Sequence, residues 1–232
     1  MTASSAAIRA TGITAGYGST PAIHGVDLRV APGEMAALVG ANGAGKTTIL
    51  STIAGELVPF EGEIEVLGNS KRRGLDHRAR HGLGFLTEGR CVFMQLTGWE
   101  NLAVGRGPVD KALEYFPELE PHLRKKAGLL SGGQQQMLAL ARILAGEPRV
   151  LLADELSLGL APLVVQRLLT TLREAADRGV AILLVEQHVS QALAIADKGY
   201  VLSRGRMVMS GTAAELQASA DEIAGHYLTG NL

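Results

Sequence analysis

Apolar residues along the chain fall into two patterns, which alternate. Continuous apolar runs at 35–39, 150–153 and 181–185 predict strands that are buried on both faces. Helical spacing at 46–54, 162–178 and 190–196 predicts helices that follow those strands. Continuous apolar strands separated by helices are typical of a parallel sheet covered on both faces, so the pattern predicts an α/β fold.

The remaining segments predict further strands, a hairpin and a region of helices. Stretches at 22–30, 63–67 and 84–86 predict further strands, and 200–202 with 207–209 predicts a hairpin around Arg204 and Gly205. Residues 98–147 differ, because they show helical spacing with no strong strand among them. We therefore predict a helical insert in this part of the chain.

The glycine content of the chain is unusually high. Glycine accounts for 29 of the 232 residues, against a usual share of about 7%. No Gly-X-Y repeat is present, so the surplus points to tight turns and to backbone that closely approaches a ligand. In parallel sheets ligands bind beyond the carboxyl ends of the strands, here just after Val39, Ala153 and Val185.

The first of these places carries a phosphate-binding motif. The segment GANGAGKTT matches G-x-x-x-x-G-K-[ST] and lies between a predicted strand and a predicted helix. Its N–H groups can surround an anion, Lys46 can bind the outer phosphates of a nucleoside triphosphate, and the Thr47 hydroxyl can ligate Mg²⁺. The predicted nucleotide-binding residues are Gly40, Ala41, Asn42, Gly43, Ala44, Gly45, Lys46, Thr47 and Thr48.

Two further polar segments occur at places that suit the same chemistry. Asp154 and Glu155 follow a buried strand, where the first carboxylate can hold Mg²⁺ and the second can act as general base on the attacking water. Before a predicted helix at 135–145, the free N–H groups beside two glycines can form a second anion site. An ordinary serine N-cap also explains that segment and is favoured by these residues alone, and both interpretations stay open. Its residues are Ser131, Gly132, Gly133 and Gln134.

The glycine-rich loop, the LSGGQ at 130–134 and the apolar segment ending in Asp-Glu occur in one characteristic order. The chain resembles the ABC-type ATPases over residues 8–228. This resemblance implies one ATP-binding domain, 1–232, with a P-loop NTPase (RecA-like) parallel-sheet core, an N-terminal antiparallel β subdomain and a helical insert at about 88–147. It also implies ATP hydrolysis with Mg²⁺. The implied partner is a second ATP-binding domain, identical or related, because the LSGGQ of one domain contacts the γ-phosphate held by the other.

Single positions follow from the same resemblance. Tyr17 matches the aromatic residue that stacks on adenine. Glu88 stands where the family usually has a glutamine that touches Mg²⁺ and the attacking water, and a carboxylate is a better ligand for a hard cation. The switch histidine of the family aligns with Gln187, so we predict Gln187 there as a catalytic residue. His188 is the alternative, since only histidine can carry positive charge.

Two more departures concern the segment after the acidic pair. The SLGLA at 157–161 matches the loop through which the two domains communicate, but Ala161 replaces its usual aspartate. Leu156 stands where the family usually has proline. The departure at Ala161 puts the role of this loop in doubt, or leaves that role to its backbone.

Several short segments resemble those of the LivF-type branch of the family, which powers uptake of branched-chain amino acids. They include the Glu-Gly-Arg at 88–90, the Val-Glu-Gln at 185–187 and the SLGLAP at 157–162. The implied function is the ATPase subunit of an importer, with separate transmembrane permease subunits and, indirectly, a solute-binding protein. Importers of urea or short amides, and ABC ATPases that serve no transporter, are the alternatives. A GTPase or small-molecule kinase is disfavoured, since the guanine-reading N-K-x-D is absent.

Charge and apolar content limit the partners. The net charge is −1, which disfavours nucleic acid and predicts that the basic cluster at 71–81 is a solvated face. The first ten residues hold no apolar signal segment, and no apolar run is long enough to span a bilayer. The single cysteine fits a reducing compartment. We therefore expect a cytoplasmic protein that is peripheral on the inner face of the membrane through permease subunits.

The surface around the start of the insert receives the membrane subunits in this family. Arg90, Phe93 and Met94 are the residues that we expect at this contact. Cys91 and Trp99 are predicted to pack in the core or at an interface.

Overall fold

The computed structural model describes residues 6–89 and 91–228. In this part of the chain the strands form two sheets, one of three strands and one of six. The strands are β1 (Ile8–Tyr17), β2 (Thr20–Val30), β3 (Met35–Val39), β4 (Glu61–Val66), β5 (Leu83–Leu86), β6 (Val150–Asp154), β7 (Ala181–Glu186), β8 (Lys198–Ser203) and β9 (Arg206–Thr212). The helices are α1 (Lys46–Ala54), α2 (Leu75–Arg80), α3 (Gly98–Ala103), α4 (Val109–Tyr115), α5 (Gly132–Ala145), α6 (Pro162–Asp177), α7 (Val189–Ile195), α8 (Ala213–Ala218) and α9 (Ala220–Leu228), with 3₁₀ helices at Pro117–His122 and Ala127–Leu129.

The six-stranded sheet has the order β5-β6-β7-β3-β8-β9. Its first five strands are parallel, and β9 runs antiparallel to β8 in the predicted hairpin. The α/β prediction and the three buried strands β3, β6 and β7 are therefore confirmed. Because β6, β7 and β3 are neighbours, their carboxyl ends meet at one edge of the sheet.

The central strand β3 shows why its sequence is apolar throughout. Ala36 and Leu38 join the core that lies beneath the three-stranded sheet and α1. Met35 joins a second core with the helical insert and α6, while Ala37 and Val39 join a third with α7 and α8. Both faces of the strand are covered, so alternation with polar residues is absent.

The three-stranded sheet is antiparallel, with the order β2-β1-β4. This is the antiparallel β unit that the sequence resemblance implies at the N-terminal end. Between β5 and β6 the described residues form helices without an intervening strand, which agrees with the helical spacing there. The capping box of Thr97 and Glu100 starts α3, and the serine-glycine segment starts α5.

Three helices were not predicted from the sequence, namely α2, α8 and α9. Helix α2 lies inside the basic cluster, where Lys71, Arg72 and Arg73 are exposed as predicted for a solvated face. The prediction is wrong for Arg78, which is buried and donates to the Ile53 carbonyl at the end of α1. A cation there complements the negative end of a helix, so this arginine stabilises the packing of α2. No helix within the described ranges combines the length and the apolarity that a membrane crossing requires.

Candidate functional site

Residues 40–48 connect β3 to α1, and their backbone requires glycine at two points. A Cβ on Gly40 would lie 2.4 Å from the carbonyl oxygen of Leu202. Gly45 has a φ of 106°, and its Cβ would lie 2.6 Å from Cγ2 of Ile23. A side chain at either position would push the loop away from β8 or β2. These two glycines thus allow the close packing of this loop as well as its turn.

The Lys46 amine lies buried inside the loop. Its Nζ donates to the Gly40 carbonyl at 2.9 Å and to the Ala41 carbonyl at 3.1 Å. Helix α1 begins at Lys46, so the free N–H groups of its first turn lie beside the amine. The amine and the positive end of the helix dipole together make the loop attractive to phosphate.

Asp154 ends β6 beside this loop, and only 2% of the residue is exposed. The pKa of its carboxyl is raised to about 6, chiefly by burial; the nearby Glu155 and Glu88 also raise it, while Thr47 and Lys46 lower it. Its Oδ1 has no hydrogen-bond partner among the described residues. A buried carboxylate oxygen without a partner is costly, so a cation at this point would stabilise the arrangement.

Glu155 bridges the phosphate loop and the end of β7. Its Oε1 lies 3.6 Å from Lys46 Nζ, and its Oε2 accepts a hydrogen bond of 2.8 Å from Gln187 Nε2. The backbone of Glu155 is left-handed, with a φ of 48°, which is uncommon for a residue other than glycine. Its N–H donates to the Val185 carbonyl at 3.0 Å, so the β7 strand holds the unusual conformation in place.

The two candidates for the switch position lie in different surroundings. Gln187 contacts Glu155 through the hydrogen bond just described. His188 is the N-cap residue of α7, its side chain is exposed, and it makes no cap hydrogen bond. Of the two residues, the structure therefore brings Gln187 to the acidic pair.

Tyr17 and Glu88 lie at the margins of the site. Tyr17 is 58% exposed at the end of β1, in the turn that leads to β2, and β2 packs against Gly45. Glu88 is exposed just after β5 and is close enough to raise the pKa of Asp154. Both side chains are exposed, and their contact with a bound nucleotide stays a prediction.

The serine-glycine segment is built differently, as a local N-cap of α5. The Ser131 hydroxyl accepts from Gln134 N–H at 3.3 Å, and Gln134 Oε1 accepts from Ser131 N–H at 2.9 Å. Gly133 packs against the start of α6, where its Cβ would lie 2.8 Å from Val164 Cγ1. Among the described residues, the serine-glycine segment is not hydrogen-bonded to the glycine-rich loop of its own chain.

Sequence reasoning missed Glu186, which ends β7. Only 2% of this residue is exposed, and its two carboxylate oxygens accept from the Ser157 N–H at 3.0 Å and from the Ser157 hydroxyl at 2.6 Å. Burial raises the pKa of its carboxyl, while the bonds from Ser157 lower it. A charge at the end of an apolar strand was the only signal, because Ser157 lies 29 residues away in the sequence.

Apolar side chains are exposed where the insert begins. Phe93 and Trp99 are each 54% exposed, and Met94 is 46% exposed. Cys91 is exposed as well, so core packing of Cys91 and Trp99 is wrong, and packing at an interface stays a prediction. Arg90, which we expect at the same surface, lies outside the described residues.

Comparisons with known proteins agree with this geometry. A family profile described as ABC transporter matches residues 23–157. A high-affinity branched-chain amino acid transport ATP-binding protein, BraG from Pseudomonas aeruginosa, is 43% identical over 211 residues, which are 86% of this chain and 90% of BraG. This chain belongs to the ABC transporter family of ATP-binding proteins. It is therefore an ATPase, and its nucleotide is ATP.

Two further likenesses describe this ABC ATPase. A protein named as a probable branched-chain amino acid transport ATP-binding protein, LivF from Archaeoglobus fulgidus, is 37% identical over 223 residues, covering 90% of this chain and 93% of its own. The solved ADP conformation of an ATP-binding cassette of an ABC transporter superposes with a TM-score of 0.85. It covers 97% of this chain and 99% of that one at 23% identity, which shows the shared fold. The predicted P-loop NTPase fold is thus confirmed.

Proposed function

We propose that this ABC ATPase is the motor subunit of an importer for branched-chain or other hydrophobic amino acids. The observation that carries the chemistry is the meeting of Lys46, Glu155 and Gln187 at one edge of the sheet. The identities to BraG and LivF, both named for branched-chain amino acid transport, support the choice of cargo.

The contacts of Lys46 suggest how ATP starts the reaction. The amine binds two loop carbonyls and lies near Glu155. ATP phosphates compete for the amine, since a charge-assisted bond to phosphate is stronger than a bond to a neutral carbonyl. The exchange releases Oε1 of Glu155, while Gln187 still holds Oε2. Glu155 can then accept the proton of the water that attacks the γ-phosphate.

The residues around Asp154 fit Mg²⁺. The unpartnered Oδ1 and the raised pKa of Asp154 support this, since they mark a buried carboxylate that Lys46 and Thr47 stabilise only in part. Thr47, Asp154 and Glu88 would hold the ion, which would neutralise phosphate charge during hydrolysis. Within the described residues, no group of three or more His, Cys, Asp and Glu side chains could hold a metal. Phosphate and water would complete the shell, as is usual for Mg²⁺.

The separate serine-glycine segment supports a paired arrangement. Each chain carries one phosphate loop and one LSGGQ. Because residues 131–134 make no bond to the loop of their own chain, a second ABC ATPase subunit, identical or related, would supply the contact. Two chains arranged head to tail then complete two sites, and hydrolysis reopens the pair.

The exposed apolar side chains support a membrane partner. Phe93, Met94 and Trp99 are exposed near the start of the insert, where a short permease segment could cover them, since exposed apolar side chains that lie together mark interaction sites. We propose a cytoplasmic location, peripheral on the inner face of the membrane through permease subunits. A solute-binding protein would act on those subunits and not on this chain, and the net charge of −1 disfavours nucleic acid.

Glu155→Gln tests the reaction and the pairing together. The amide keeps the shape and can still accept from Gln187, but it cannot take a proton. We expect ATP to bind with ordinary affinity, turnover to fall by about 10³-fold, and an ATP-trapped dimer to appear in light scattering. Glu147→Gln, on an exposed carboxylate that pairs with Lys111, is the matched control.

A monomer under these conditions would overturn the paired arrangement, and normal hydrolysis would overturn the role of Glu155. The cargo needs a separate measurement. Vesicles that contain the ATPase together with its permease subunits should take up leucine when ATP and the matching solute-binding protein are supplied. Uptake of urea in place of leucine would reject the amino acid cargo.

A further inference from the structure

Two consecutive residues at the end of β7 hold the segment that follows β6. Glu186 accepts two hydrogen bonds from Ser157, and Gln187 donates one to Glu155. The strands themselves are neighbours, with Asp154 paired to Val185. Glu155, the candidate general base, and Ser157, the first residue of the 157–161 loop, are therefore hydrogen-bonded to adjacent residues at the end of β7.

Both oxygens of the Glu186 carboxylate are used in its contact with Ser157. The carboxylate is almost fully buried, and its two oxygens accept the N–H and the hydroxyl of Ser157. Hydrogen bonds to a buried charge are among the strong ones, and leaving such a group unsatisfied is costly.

Ser157 is the only polar side chain of the SLGLA loop. The loop leads directly into α6, and the first turns of α6 touch Gly133 in the serine-glycine segment through Val164. Glu186 thus connects the catalytic candidates to the serine-glycine segment. On one side, its neighbour Gln187 bonds to Glu155. On the other side, Ser157 leads through the loop and Val164 to Gly133 at the start of α5.

We propose that Glu186 is a positioning residue for ATP hydrolysis. It ties the 157–161 loop to Gln187, so that Glu155 is aligned for proton transfer only when this loop is in place. The proposal rests on the proposed role of Glu155 as general base. Glu186 itself touches no reacting atom, so its removal should lower kcat and leave the binding of ATP unchanged.

The test compares steady-state ATPase kinetics of Glu186→Ala, Ser157→Ala and the double variant. We expect kcat to fall about tenfold or more for Glu186→Ala and about threefold for Ser157→Ala, with the KM for ATP within about twofold of wild type. The double variant should be no slower than Glu186→Ala, since both changes remove one interaction. Glu186→Gln should recover most of the rate, because its amide can bond to the same Ser157 groups.

Glu215→Ala is the matched control, since its carboxylate also accepts the N–H and the hydroxyl of one residue, Thr212, at the start of α8. Its kcat should equal that of wild type. A normal kcat in Glu186→Ala, a raised KM with normal kcat, or an additive double variant would each overturn the proposal. Should Glu186→Ala not fold, a normal kcat in Ser157→Ala would do so alone. If Glu155→Gln itself hydrolyses ATP normally, the proposed function fails, not this inference alone.

Discussion

The phosphate edge of the sheet and the serine-glycine start of α5 both suit anions, yet they are built in opposite ways. At the edge, side chains from separate strands bond to one another, as Lys46, Glu155 and Gln187 do. At the helix start, Ser131 and Gln134 satisfy each other within one turn. One region is organised by tertiary structure and the other by local sequence. A tertiary site is stiff and specific, whereas a locally capped one can be carried elsewhere by its helix without losing its shape.

The largest expected effect comes from breaking the tertiary site at its buried charge. We expect Asp154→Asn to lower Mg²⁺-dependent ATP turnover by about 10³-fold, because the metal loses its anionic ligand. The same change should raise the thermal stability of the nucleotide-free protein near neutral pH, since it removes a buried unpaired charge. Calorimetry without Mg²⁺ or nucleotide measures the second effect.

The pH dependence of that stability gain has a definite sign. The pKa of Asp154 is raised from 3.8 to about 6, so the folded state holds its proton more tightly than the unfolded chain does. Stability from this group is therefore full below about 4 and is lost as the pH rises through about 6. Asp154→Asn should gain a few degrees in Tm at about pH 7.5 and nothing near pH 4. A loss of stability at the higher pH would contradict the unpaired-charge interpretation.

A smaller effect is expected from the locally built region. Ser131→Ala should cost about 1 kcal/mol of stability through the lost cap. Turnover should fall about tenfold, while the affinity of the separate chain for ATP stays unchanged, because the segment does not touch its own phosphate loop. Titration of a monomeric sample with a fluorescent ATP analogue measures that affinity.

Thr212→Ala is the control for this experiment, since it removes an equivalent capping box from α8. It should show the same loss of stability with normal turnover. Equal turnover in both variants would mean that Ser131 is an N-cap and nothing more.

The smallest effect is expected at the margin of the tertiary site. Glu88→Ala should lower turnover severalfold, between about three- and tenfold, with little change in ATP binding, because Glu88 is exposed and would act through the metal. The pKa of Asp154 should also fall, since Glu88 is one of the charges that raise it. An unchanged rate would remove Glu88 from the site.

Sequence predicted the parallel sheet better than it predicted the short helices. The strands of the parallel sheet and the loop after β3 followed from apolar runs and one motif, because burial on both faces leaves a clear pattern. Helix α2 was missed, since its six residues are mostly polar and carry little periodicity. Helix α8 had a visible signal in Thr212 and Glu215, a capping box that was not used.

Contacts between distant segments were the part that sequence could not supply. The bonds of Glu186 to Ser157 and of Gln187 to Glu155 join residues 29 and 32 positions apart. Nothing in the local pattern of either segment selects the other as its partner. Only the adjacency of β6 and β7 brings them together, and this adjacency is a property of the sheet order.

The place of β3 in that order has a consequence for the synthesis of the protein. The strand is made early, yet its neighbours in the sheet are β7 and β8, which lie in the last quarter of the chain. Gly40 rests against Leu202, and Glu155 depends on Val185 and Gln187. A ribosome that has delivered the glycine-rich loop has therefore not yet delivered the surfaces that shape it. The nascent chain should become able to bind ATP only when β8 has emerged. A chain that ends before β8 should therefore neither bind nor hydrolyse ATP.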